Sequence, residues 1–516
     1  MRAAILFAIL ALASPTHAQD VIPGPIPSSD VAPLAEGGFD TAIASLPKMV
    51  EDVMTRSGVP GMAVAVIRDG QVVFRQGFGR RDIRKPDPVT PETVFQVASL
   101  SKSISATVTA IAVSDGLLSW DDPVKAYLPG YRLSDTFVSE HATVGDFFAH
   151  RSGLPFAAGD DLEDMGYDRE HVLAQLKYLP LGPFRTSYHY ANFGLTTGAQ
   201  AVAAAAGQDW ADLAQKSLFA PLRMTSTSYR YADAMAAENR AVLHAYEDGR
   251  FKPLYDRNAD AQAPAGGVSS TVDDLAKWLI LLLADGEWQG RQLITSEALA
   301  PAIRPQIINA PGATPNDRSS AYGYGFNVGT TAAGRPIRSH SGGFIKGAGT
   351  HFKILTSAGI GIVVLSNGAP VGASEAIAAQ FMDVVQFGTS TRDWLAGYTM
   401  LMSPMFDPVG DLAEKSSPKK PAPAGPNGRY TGRFNNAYFG PAEVIEADDG
   451  LELQLGPRPI RLTLHHWDGD TFAVAPLGEN QPQGSLSSVS FSVTGGKAQS
   501  LHVQYLDDNG LGLWRR

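Results

Sequence analysis

The chain predicts an α+β fold: an antiparallel sheet flanked by helices, with an all-helical insert, followed by a small C-terminal antiparallel β domain. Three observations carry this. Apolar, strand-like runs stand far apart in sequence, at 62–67 (MAVAVI) and 360–366 (IGIVVLS). Between them, from about residue 99 to 284, apolar residues recur at helical spacing, as at Leu275, Trp278, Leu279 and Leu282. Beyond residue 428 the pattern changes to short alternating segments separated by Asp/Gly turns.

In chain order, residues 1–18 (MRAAILFAILALASPTHA) read as a secretory signal peptide. Arg2 supplies the positive start, 3–13 is apolar but too short to span a bilayer, and Thr16 and Ala18 precede an expected cut after Ala18. The expectation is a periplasmic or secreted protein with no stable membrane anchor after signal cleavage. Residues 19–40, rich in Pro, Gly and Ser, read as a loose leader, and 41–405 as the main domain. Within it, the strand at 62–67 turns at Asp69-Gly70 and returns over 71–75. Further strands are expected at 351–355 and 360–366, then a helix over about 373–385. Strands at both ends with a helical middle imply one sheet assembled from sequence-distant pieces.

The stretch 406–428, containing DPVGDLAEKSSPKKPAPAGPN, is a Pro-rich charged linker. From 429 to 516, strands expected at 443–446, 451–455, 460–464, 471–474, 489–493 and 501–505 make a small β-sandwich or barrel.

Composition narrows the function. With 516 residues, 44% hydrophobic and 18% charged, the chain is globular. A net charge of −10 argues against a nucleic-acid partner, whose phosphates call for a basic face. The absence of cysteine excludes disulfides and thiolate metal sites. No His-Glu-x-x-His or His-x-His suggests zinc, no Gly-rich loop suggests a phosphate site, and no Gly-x-Ser-x-Gly elbow occurs. The expected chemistry needs no cofactor and no metal.

That chemistry starts at Ser-x-x-Lys, a pattern present four times: Ser45/Lys48, Ser99/Lys102, Ser416/Lys419 and Ser417/Lys420. At Ser99 a helix follows, with Ile104, Val108 and Ile111 on one face. Residues three apart are neighbours on a helix, so the lysine amine can reach the serine hydroxyl. The helix N-terminus favours a developing alkoxide. Serine needs a base within reach, and Lys102 can serve if burial lowers its pKa. Ser101 has Ile104 three residues on, so Ser99 is the better nucleophile. The copy at Ser45 lacks supporting features, and those at Ser416 and Ser417 fall in the linker.

Two motifs occur once each downstream. Tyr190-Ala191-Asn192 offers a phenol that can relay protons and an amide that can hold the lysine or a substrate. His340-Ser341-Gly342-Gly343 offers glycines that let a substrate approach a strand edge, and a backbone N–H that could form an oxyanion hole with that of Ser99.

The order Ser-x-x-Lys, Tyr-x-Asn, His-x-Gly resembles the serine β-lactamase and penicillin-binding protein superfamily. The branch it is most similar to is class C β-lactamase-like, peptidase family S12, with D-aminopeptidases and esterases. The flanks GLLSWDDPVKAYLP, ATVGDFFAHRSGLP, PLRMTSTSY, GGVSSTVDDLAKWL and IVVLSNG agree, and the likeness covers about 45–390.

The resemblance implies a β-lactamase/transpeptidase-like fold for 41–405. It implies Ser99 as the acylated nucleophile, Lys102 as its proton partner and Tyr190 as the base. It implies Asn192, His340, Ser341 and Gly342 in substrate binding, and the N–H groups of Ser99 and Gly343 at the oxyanion. His340 stands where the usual Lys-Thr-Gly has lysine. A mostly neutral histidine makes efficient penicillin hydrolysis less expected. The reading is an exported serine hydrolase for small peptide, amide or ester substrates, with a peptidase/amidase favoured. A carboxylesterase or β-lactamase is the alternative on the same scaffold, and a non-catalytic penicillin-binding or sensor module the alternative of another class.

Overall fold

The computed structural model describes residues 32–448 and 450–516. The expected signal peptide and most of the leader, at 1–31, lie outside the described residues.

Helix α1 (Gly38–Ser57) buries Ala42, Leu46, Met49, Val50 and Val53 along one stripe. Strands β1 (Gly61–Arg68) and β2 (Gln71–Gly79) form the expected hairpin. Helix α2 (Leu100–Ser114) follows, then the helical insert, whose longest helix is α3 (Asn192–Ala206), then α4 (Val272–Leu283). The chain returns to the sheet through β3 (Ile307–Ala310), β4 (Ser320–Tyr322), β5 (Asn327–Thr330), β6 (Pro336–Phe344), β7 (Ala348–Leu355) and β8 (Ile360–Ser366). Helix α5 (Ala373–Phe387) closes this part.

The sheet order is β2-β1-β8-β7-β6-β5-β4-β3, with antiparallel pairing between neighbours. Sequence-distant β1 and β8 pair as the second and third strands from one edge, Met62 opposite Ser366 and Arg68 opposite Ile360. Both faces of β1 are buried, which is why MAVAVI is apolar without alternation. Met62, Val64 and Val66 pack with α1 and α5, while Ala63, Ala65 and Ile67 pack with α2 and α4.

Two differences from the sequence reading matter. His340-Ser341-Gly342-Gly343 lies within a strand, β6, rather than ahead of one. Its Gly- and Ser-rich text has low intrinsic strand preference, and pairing with β7 overrides it. Strands β3 to β5 were also not anticipated, since they are three or four residues long and only partly buried.

The C-terminal part is a meander of eight strands: β9 (Gly432–Phe434), β10 (Ala442–Ala447), β11 (Gly450–Leu455), β12 (Ile460–Asp468), β13 (Thr471–Val474), β14 (Ser487–Thr494), β15 (Lys497–Val503) and β16 (Leu513–Arg515). A bridge between Asn435 and Arg515, bonded in both directions at 2.7 and 3.0 Å, joins the first strand to the last. Of the two expected architectures, this is the barrel. The alternation is clear in β11, where Leu451, Leu453 and Leu455 are buried and Glu452 and Gln454 are not.

Candidate active site

Ser99 occupies the N-cap position of α2. Every other residue from Val97 to Ala112 is buried, and Ser99 alone is partly open. Its side chain makes no capping bond. Instead Lys102 Nζ lies 3.1 Å from Ser99 Oγ, one helical turn on. Ser101 is fully buried, its hydroxyl donating to Ala98 O at 2.6 Å and accepting from Val268 N–H at 3.0 Å. The two serines are thereby separated, one reachable and one structural. Ala98, just before Ser99, holds φ +49°, a left-handed conformation that costs a non-glycine residue about 1–2 kcal/mol.

The other Ser-x-x-Lys copies have no such setting. Ser45 lies inside α1 and bonds back to Thr41 O at 2.6 Å, with Lys48 exposed. Ser416, Ser417, Lys419 and Lys420 are exposed and outside any helix or strand.

Lys102 is fully buried. Besides Ser99, its amine meets Asn192 Oδ1 at 2.7 Å and Ala265 O at 2.9 Å. It also stands 4.5 Å from the centre of the Tyr190 ring. Burial pulls its pKa from the usual 10.5 down to about 7, against the opposing charge of Asp160. Asn192, the first residue of α3, is held in turn by its Nδ2, which donates to Asp160 Oδ2 at 3.0 Å. Burial pushes the Asp160 carboxyl well up, helped by Glu163, Asp164 and Asp161. Burial likewise pushes the Tyr190 phenol far above 10, with Ser99 pulling the other way, so Tyr190 is protonated at neutral pH.

Beyond Tyr190 lies a cluster of rings. His150 sits 4.5 Å from Tyr190 and 5.2 Å from Tyr322, and Tyr188 sits 5.5 Å from Tyr322. Tyr322 OH lies 2.8 Å from His340 Nε2. His340 Nδ1 lies 2.6 Å from the carbonyl of Ser341, which can only accept. Burial, with the nearby Lys102 charge, lowers the His340 pKa to about 3, so its ring is neutral.

Strand β6 passes directly beside Ser99. A Cβ on Gly342 would fall 2.3 Å from Val97 O, 2.4 Å from Thr350 Oγ1 and 3.0 Å from Ser99 N. Only glycine permits that approach. No described residue accepts from the Ser99 N–H. Pairing with β5 ends at Ser339, so the outer edge of β6 from His340 through Gly343 has no strand partner among the described residues. Ser341 faces the other side of the sheet: its Oγ lies 3.0 Å from His351 Nδ1, and Glu375 on α5 shares that hydroxyl.

Ser99, Lys102, Tyr190, Asn192, His340 and Gly342 are therefore gathered at one place, Gly343 follows on the open edge, and the Ser341 side chain points away. Sequence reasoning missed Asp160, Tyr322, His150 and the Ala265 carbonyl. His150 stands in the AHRSGLP flank. The others carry no motif, and a carbonyl acceptor leaves no side-chain signal. Among the described residues no group of His, Cys, Asp and Glu is placed to hold a metal ion.

This constellation sets a Ser-x-x-Lys at a helix N-terminus between a helical insert and a glycine-bearing strand edge. The family profile described as Beta-lactamase matches residues 46–387, and the chain belongs to that family. A second profile, a domain of unknown function (DUF3471), matches 416–511, the barrel region. Among curated relatives, "Unguisins hydrolase ungD'" of Aspergillus campestris is 27% identical over 415 residues, spanning 77% of this chain and 75% of that protein. A "D-aminopeptidase" of Gluconobacter oxydans is 26% identical, spanning 66% of this chain and 62% of that protein. Among solved structures, the octameric penicillin-binding protein homologue from Pyrococcus abyssi superposes with a TM-score of 0.59 at 21% identity, covering 90% of this chain and 98% of its own. That likeness is one of fold.

Proposed function

We propose that the protein is an exported serine hydrolase that works through an acyl-enzyme on Ser99, acting as a peptidase or amidase on linear peptides. The observation that carries the reading is the contact of Lys102 Nζ with Ser99 Oγ at 3.1 Å, made by an amine whose burial brings it to about 7. A lysine so tuned is available as a base near neutral pH.

In the proposed sequence, neutral Lys102 takes the Ser99 proton as Oγ attacks the carbonyl carbon. The C=O π pair moves to oxygen, which the Ser99 N–H and the β6 edge stabilise. Tyr190, protonated and so an acid here rather than the base the resemblance implies, passes its proton to the leaving amine and takes up the one Lys102 holds, and the C–N bond breaks. Water then attacks the ester carbonyl as Lys102 takes its proton; the C–Oγ bond breaks, the proton passes from Lys102 to Ser99 Oγ, and the carboxylic acid leaves. Asn192, fixed by Asp160, holds Lys102 in reach. Amide preference is supported by a relative named as a D-aminopeptidase. Export rests on the N-terminal 18 residues.

The test is a panel of p-nitrophenyl esters, D- and L-amino acid anilides, nitrocefin and linear peptides, run on wild type and Ser99→Ala. Peptide or anilide turnover that vanishes in the variant is expected. Folded protein left unmodified at Ser99 by a fluorophosphonate or a penicillin would end the hydrolase reading, in favour of a non-catalytic module.

A further inference from the structure

His340 stands where a substrate anchor is expected, yet both its nitrogens are engaged inside the protein. The Ser341 carbonyl can only accept, so Nδ1 carries the proton. Nε2 is then an acceptor, and the buried phenol of Tyr322 donates to it at 2.8 Å. Among the described residues the groups facing this ring are Lys102 from α2, His150 and Tyr190 from the insert, Tyr322 from β4 and His351 from β7. Lys102 is the one cation among them, and no carboxylate is there to favour an imidazolium.

Lys102 and two cations beyond the Gly343 end of the strand already have partners. Lys102 spends its amine on Ser99, Asn192 and Ala265. Arg257, stacked 5.4 Å from Phe344 at the end of β6, donates to Glu163 Oε2 at 2.6 Å and lies 3.4 Å from Glu479 Oε2. Lys346, in the turn after β6, faces the same Glu479 at 4.0 Å.

We propose that Tyr322 is a positioning residue that takes His340 out of substrate binding, so that the site selects acyl donors with no carboxylate beside the scissile bond. Uncompensated cations are what a substrate carboxylate needs, and burying it without one is costly. The substrate class is an internal or C-terminally blocked peptide bond, or a neutral ester. This deepens the hydrolase reading and rests on it.

The test uses the full chain and a matched pair: benzoylglycyl-phenyllactate, with a free carboxylate next to its scissile ester, and the same depsipeptide as its carboxamide. Wild type is expected to favour the carboxamide at least about tenfold in kcat/KM, with the ratio unchanged from pH 9 to pH 8, where Glu479 is a carboxylate. ¹⁵N-histidine spectra of wild type, with His340→Gln for assignment, are expected to show His340 as the neutral Nδ1–H tautomer throughout. In Tyr322→Phe, Nε2 is released. The tautomer signature should become mixed, and the selectivity should narrow at least threefold through KM.

A wild type that prefers the carboxylate at any of these pH values, or acylates with neither compound, overturns the inference. So does an Nε2-protonated or charged His340 in wild type, which needs no variant. Unchanged selectivity in folded Tyr322→Phe overturns the role of Tyr322. Fluorophosphonate labelling of Ser99 separates these failures from failure of the hydrolase reading itself.

Discussion

Ser99 and Ser101 are two residues apart, and their surroundings give them opposite tasks. Ser99→Ala removes the only partly open hydroxyl of this helix start and leaves the packing intact. Turnover should fall below a hundredth of wild type with an unchanged melting midpoint. Lys102 must be neutral to accept a proton. With its pKa near 7, kcat/KM should climb through about pH 7 and level off above it. Stability follows the same residue. Between about 7 and 10.5 the unfolded chain binds a proton that the folded chain does not, so stability rises with pH across that window. Below pH 7 the fold carries the whole cost of a buried ammonium. Lys102→Met is accordingly expected to abolish activity while melting no lower than wild type at pH 6, despite the lost hydrogen bonds; a drop of more than 5 °C or so would contradict this. Ser99 and Lys102 were legible because residues three apart share a helix face and only this copy of their motif opens an apolar helix, Tyr190 and Asn192 because Tyr-x-Asn occurs once in the chain. Asp160 and Tyr322 were not. They act through tertiary placement alone, and an isolated Asp or Tyr in sequence does not say what it faces.

At the scale of elements, β6 does two jobs that pull its sequence apart. It must pair with β7 over Ile337 to Phe344, and it must lie against the backbone before Ser99. The second demand puts glycine at 342, and glycine is what hid the strand from a propensity-based reading. Gly342→Ala should force strand and nucleophile apart. The expected result is a loss of at least about 10²-fold, mostly in kcat, as for removal of an oxyanion donor. Stability should fall by about 1–3 kcal/mol from overpacking, read by denaturant midpoint. A variant with normal kcat would show that the strand edge plays no part in the transition state. The long runs of β1 and β8 were legible for the opposite reason: buried on both faces, they have no requirement but apolarity.

Across the whole molecule, the barrel and the catalytic body share one apolar core, in which Met165 meets Leu455 and Leu462. Polar contacts fasten the same seam. Tyr167 OH donates to Phe439 O at 2.9 Å, and the Glu479 N–H reaches the Asp164 carboxylate at 3.1 Å. Alternating strands and turns made the barrel visible in the sequence, but not its docking, since an interface between two bodies has no periodicity of its own. Burial raises Glu479 to about 7 and Asp164 to about 6. From about pH 4 up to these values the folded state holds protons that the unfolded chain has released, so this part of the stability falls as pH rises through the window. The seam should therefore resist urea better at pH 5 than at pH 8, and Glu479→Gln should flatten that difference. A steeper dependence in the variant would exclude Glu479 as its source.

The five residues Asp160–Asp164 join these scales. The first holds the amide that holds Lys102, and the last holds the barrel. For anyone recombining domains, this makes the barrel a poor interchangeable part. A graft that seats a foreign barrel even slightly out of register would be transmitted along one rigid turn to the base, and such chimeras would express and fold yet need their pH optimum found anew.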